Sequence, residues 1–163
     1  MHAPRAAFAT GIGVLLLLGG SCAFGSSGTF TLSNASVDPG YSCPRGSHNV
    51  YYDIHASIDA HNGTSSAVAI KTVTAVLTLA AVHGAWLQQV GSKYDAGRVT
   101  YGPMKVAAGA DATLTLLIPS ACTNGSGAGA TASYAEYAVS LTVTSSAGTS
   151  RVDTKNRHRI TAA

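Results

Sequence analysis

The stretch from Asn49 to His61 constrains the fold more than any other part of the chain. Val50, Tyr52, Ile54, Ala56, Ile58 and Ala60 hold its even positions, and Asn49, Tyr51, Asp53, His55, Ser57, Asp59 and His61 hold its odd ones. Successive side chains on a strand point to opposite faces, so alternation over 13 residues predicts a long strand with one buried face and one wet face. The apolar face of such a sheet needs a second layer to cover it.

Composition says what that layer is. Only 10% of the 163 residues are charged, and Glu136 is the sole Glu. An amphipathic helical bundle needs Glu, Lys, Arg and Gln on its wet faces, and this chain lacks them. Disorder is excluded as well, because Val, Ile, Leu and Tyr recur regularly and the net charge is only +3. Further strands are predicted over Thr29–Val37, Val68–Leu79, Arg98–Val106, Ala112–Ile118, Tyr134–Thr144 and Thr149–Thr154. Turn chemistry separates them at Asp38-Pro39-Gly40, Asn62-Gly63-Thr64-Ser65 and Ser145-Ser146-Ala147-Gly148, and Pro119 is expected to end the fifth strand. Ala80–Gly97 loses the alternation and reads as a long crossover, and Thr123–Thr131 reads as a small-residue loop. About seven strands in all predict an all-β antiparallel sandwich.

The N-terminus carries an export pattern. Arg5 precedes 15 uncharged residues, Ala6–Gly20, too few to cross a membrane but suited to the core of a cleavable signal peptide. Cleavage after Ala23 and cleavage after Gly25 both satisfy the small-residue rule. Leu18-Gly19-Gly20-Ser21-Cys22 also resembles a bacterial lipobox, which would make Cys22 a lipidation site. The domain plan is therefore a signal peptide over 1–23, a flexible leader over 24–28, the sandwich over 29–154 and a basic tail over 155–163. Processing removes or modifies Cys22 and leaves Cys43 and Cys122, expected in loops at strand ends, as a disulfide pair in an oxidising compartment. Closing a loop of about 80 residues is worth roughly 4–5 kcal/mol in the chain-entropy account.

Two segments carry a resemblance. Tyr137–Thr149 (YAVSLTVTSSAGT) looks like the final strands of bacterial immunoglobulin-like domains of the PKD and CARDB kinds. Ala107–Pro119 (AAGADATLTLLIP) resembles the turn and strand before them. The resemblance implies an immunoglobulin-like sandwich, and Tyr137 has the parity of a tyrosine corner, whose hydroxyl bonds back to nearby backbone.

Candidate chemistry is sparse. Trp86, Tyr94 and Tyr101 lie in or just beyond the crossover and form a candidate ligand patch for glycan or protein. His55, Asp59 and His61 share the wet face of the 49–61 strand and are candidate metal ligands, although no third-strand ligand is identifiable; the plainer reading is a polar wet face. The chain shows no Gly-x-Ser-x-Gly elbow, HExxH, phosphate-binding loop or calcium loop, so neither an enzyme nor a cofactor is expected. From Arg151 onward four Lys/Arg stand against one Asp, which concentrates the basicity at the C-terminus without the interleaved aromatics of a nucleic-acid surface. Asn34, Asn62 and Asn124 head Asn-x-Ser/Thr sequons. The function expected is an exported, non-catalytic module that binds, adheres or scaffolds at a bacterial cell envelope. The partner would be an envelope glycan or another envelope protein. Membrane contact would come only through the signal peptide or a lipid anchor. The alternatives are a carbohydrate-binding module and a periplasmic metal-handling protein.

Overall fold

The alternating stretch is a strand in the computed structural model of the chain, which describes residues 28–124 and 133–162. In chain order the strands are β1 (Phe30–Val37), β2 (Gly40–Cys43), β3 (Val50–Asn62), β4 (Val68–His83), β5 (Lys93–Arg98), β6 (Thr100–Gly102), β7 (Lys105–Val106), β8 (Asp111–Cys122), β9 (Ser133–Ser145), β10 (Gly148–Asp153) and β11 (His158–Ala162). There is no helix among the described residues. The signal peptide, Cys22 and most of the Thr123–Thr131 loop lie outside them.

One sheet has the order β1-β3-β8-β6, the other β2-β11-β9-β4-β5, with β10 also beside β9 and β7 beside β4. Neighbours are antiparallel except β2 and β11, which run parallel. The first order is the ABED sheet of an immunoglobulin domain, and β4, β9 and the β10–β11 pair fill the C, F and G places of the second. The fold is an all-β, immunoglobulin-like sandwich.

From Ile54 onward the even face of β3 is buried as the alternation requires, with Ile54 and Ile58 fully enclosed, while Val50 at its start is exposed. Opposite them lie Val73, Ala75, Leu77 and Leu79 of β4 and Ala135, Val139, Leu141 and Val143 of β9. Each fully buried Leu or Ile contributes about 1.5–3 kcal/mol. In β4 the buried parity changes from even (Val68, Ile70) to odd (Val73 onward) at a register shift between Ile70 and Thr72. One extra residue there turns the later side chains back to the core.

Several expectations are corrected. Ala80–Gly97 is not a crossover: β4 runs on to His83, and β5 returns antiparallel to it. The passage between sheets is made at Val99, which is buried and whose N–H donates to the Val73 carbonyl at 3.1 Å. Arg98–Val106 is not one strand but β6 and β7, flanking the cis Gly102–Pro103 peptide bond. Pro119 does not end its strand, because β6 covers β8 only at Thr115–Leu117 and beyond that β8 has an open edge that tolerates a missing N–H. Cys43 and Cys122 are not in loops. They are the last residues of β2 and β8, buried in the core and joined by a disulfide that ties the two sheets together at one end.

The basic tail is the largest correction. Residues 158–162 form β11 between β2 and β9, with His158 and Ile160 buried. Arg157 and Arg159 both bind Glu136 on β9, Arg151 pairs with Asp153, and Lys155 bonds Asn34. Charges that look like a solvated end therefore hold a strand in place.

Candidate functional site

At the end of the sandwich clamped by the disulfide, three connections converge: 44–49 between β2 and β3, 84–92 between β4 and β5, and the chain leaving β8 toward β9. The 84–92 loop is folded down by specific bonds. Gly91 N–H donates to Leu79 O at 2.8 Å, and Leu79 N–H to Ser92 O at 2.9 Å. Ala85 N–H donates to Ser133 Oγ at 3.1 Å. Gly84 is needed at the entrance, since its φ is +76° and a Cβ there would meet Ser133 Oγ at 2.5 Å.

Tyr137 holds the loop from below. Its hydroxyl donates to Gln88 Oε1 at 2.7 Å and accepts from Trp86 Nε1 at 3.3 Å. Burial pushes the phenol pKa up, and the Trp86 bond offsets part of that rise. This is not a tyrosine corner, because the partners are side chains some 50 residues upstream rather than nearby backbone.

Between the loop and the strand ends lies a concavity of about 550 Å³. Its lining includes Trp86, Leu87 and Tyr94, the polar Arg45, Asn49 and Thr123, and Cys122, Tyr137 and Ile160. Trp86 is half-buried, Tyr94 is 42% exposed, and Leu87 is 90% exposed. Arg45 is the single Lys, Arg, Asp or Glu in the lining, and no hydrogen bond or ion pair engages its guanidinium among the described residues. This volume and mixture suit a small amphipathic ligand, with apolar and aromatic walls and a few polar groups to orient it.

The expected patch of Trp86, Tyr94 and Tyr101 is thus brought together only in part. Tyr101 sits on β6 opposite Leu116 and donates its hydroxyl to Ile70 O at 3.3 Å, away from the cavity. Arg45, Asn49, Leu87, Gln88 and Thr123 went unread in the sequence. Leu87 alone left a signal, as a large apolar residue in a loop.

The three metal candidates do not gather: Asp59 and His61 border one concavity with Asp111, and His55 lies outside it. His55 faces Asp38 at 3.7 Å; His61 Nδ1 lies 2.7 Å from Asp111 Oδ1; Asp59 takes bonds from Asn34 and Thr113. No three metal-ligating side chains gather among the described residues. The 49–61 wet face is a set of cross-strand pairs.

One buried network gave no warning in the sequence. His158, fully buried, places Nδ1 at 2.8 Å from Asp38 Oδ1 and 3.2 Å from Asp38 O, and Nε2 at 3.2 Å from the Tyr52 hydroxyl. Two acceptors at Nδ1 place a proton there, and Nε2 shares a hydrogen bond with the Tyr52 hydroxyl. Tyr52 stacks on Tyr41 with ring centroids 3.9 Å apart, and burial pushes its pKa up to about 12, against a lowering by a hydrogen bond from Ser120.

Compared by sequence, the chain matches no protein-family model and no curated protein. Two solved structures are similar in outline. One is an ASH/PapD-like domain of human CEP192, at TM-score 0.30 and 8% identity over 98% of this chain and 94% of that one. The other is AggA, the major subunit of aggregative adherence fimbriae type I from Escherichia coli, at TM-score 0.36 and 8% identity over 84% of this chain and 97% of that one. At that level neither likeness bears on function or partner.

Proposed function

We propose that this chain is an exported, non-catalytic binding module of a bacterial cell envelope, and that the cavity beside Trp86 and Tyr94 is its recognition site for a saccharide. The observation that carries this reading is the placement of two aromatic rings and an exposed Leu87 around one concave site. Aromatic faces pack against the apolar C–H faces of sugar rings, while amides such as Asn49 and Gln88 supply donors and acceptors for hydroxyls. The Cys43–Cys122 disulfide supports an oxidising compartment.

The test is a glycan array probed with the full chain and with Tyr94→Ala. Tyr94 is largely exposed, so the variant is expected to keep its melting temperature and lose its array signal. An array silent to the wild type, or one indifferent to Tyr94→Ala, would remove the reading.

A further inference from the structure

The ligand class can be narrowed from the charge in the cavity. Resting on the saccharide reading above, we infer that the site takes an acidic saccharide, with Arg45 receiving the sugar carboxylate while the ring lies against Trp86 and Tyr94. Arg45 follows the Cys43 end of β2, so the disulfide anchors the chain two residues before it. Among the described residues its guanidinium has no acidic partner, and no Asp or Glu lines the cavity to compete for it. Glu136, the one Glu, is engaged by Arg157 and Arg159.

A planar guanidinium offers two parallel N–H donors, the geometry that carboxylates accept. A neutral sugar would leave that charge unused at the rim of a largely apolar site. A carboxylate on the ring would be met by the Arg45 charge, with no Asp or Glu among the described lining residues to repel it.

The experiment uses the full, oxidised chain and reads Trp86 fluorescence, which is specific because the chain has one Trp. Trigalacturonate is titrated beside its methyl ester, which keeps the sugar rings and removes the charge. The acid is expected to bind about fivefold or more tightly than the ester. Arg45→Gln should abolish that difference and leave the ester's affinity unchanged; Arg45 is exposed, and an unchanged melting temperature verifies the fold. Raising NaCl from low to molar concentration should weaken the acid alone, as screening of an exposed pair requires. Equal affinities for acid and ester, or an acid preference that survives Arg45→Gln, would overturn the inference and leave the saccharide reading standing. Absence of any saturable change with trigalacturonate, its ester and neutral maltotriose would overturn the inference, and with a silent array the saccharide reading too.

Discussion

Asn62 is the residue whose loss should harm the fold most for its size. It is fully buried at the end of β3. Its amide nitrogen donates to Ser66 O at 2.9 Å, Val106 O at 3.1 Å and Ala107 O at 2.9 Å. Its amide oxygen accepts from Thr64 N–H at 3.1 Å and Thr64 Oγ1 at 2.7 Å. One side chain therefore ties the β3–β4 turn to the segment after β7. Asn62→Ala strands these groups. The Val106 carbonyl is sealed from water and the others partly so, giving about 1–3 kcal/mol for the first, with smaller losses for the rest, and roughly 3–5 kcal/mol in total. That is a large share of the roughly 5–15 kcal/mol by which domains are stable. Urea unfolding should show the midpoint falling with the slope unchanged. Asn62→Asp should be worse at neutral pH, since it sets a carboxylate against three carbonyls. Burial raises that carboxyl's folded pKa, so the folded state binds more protons and stability should recover as the solution is acidified. A loss below about 1 kcal/mol in Asn62→Ala would refute the argument, because it would mean water replaces all five bonds at little cost.

Three further outcomes are expected. Replacing Cys43 and Cys122 together by Ser should cost up to about 4–5 kcal/mol in denaturant unfolding, and a loss under 1 kcal/mol would show that the cross-link does little to the unfolded chain. Glu136, its pKa lowered chiefly by the hydrogen bond from Arg159, contributes stability that is present above the usual 4.5 and lost as the pH falls through the lowered value, so Glu136→Gln should flatten the acid limb of melting temperature against pH. Tyr52, raised to about 12 mainly by burial, contributes stability that is full below pH 10 and lost as the pH climbs through 12. Tyr52→Phe should remove the last-titrating phenol from the absorbance curve near 295 nm, and a curve unchanged by that substitution would place the shift elsewhere.

Most of the first sheet was legible because β3 and β8 keep one parity from end to end, and each alternating residue reports its own face. The second sheet was harder. The register shift after Ile70 breaks the parity of β4, and Val82 and His83 continue the strand where polar and small residues had hidden the pattern. β11 was invisible for a different reason. Of its five residues, His158 and Ile160 face inward, but they alternate with Arg159 and follow Lys155 and Arg157, so local charge outweighed period. Only the tertiary partners, Asp38 and Tyr52 for the ring and Glu136 for the arginines, make that segment a strand. The cavity was half legible for the same cause. Trp86, the single Trp, and Tyr94 stand out in a stretch without alternation, whereas Arg45 and Asn49 are ordinary until the fold brings them into the same cavity lining.

The anchoring of the cavity explains why a binding site can lie in the gap between two sheets. Such a gap widens when the sheets slide, and a ligand would then have to supply the free energy of closing it. Here its two sides are fixed independently. Cys122 ends the strand beneath one side and is bonded to Cys43, two residues before Arg45. Tyr137 rises from β9 beneath the other and holds Trp86 and Gln88 through a single hydroxyl. The same covalent bond that restrains the unfolded chain ties β2, the strand before Arg45, to β8 of the other sheet in the folded one. In the proposed reading stability and recognition share that bond, since it ties the end of the sandwich where the cavity lies.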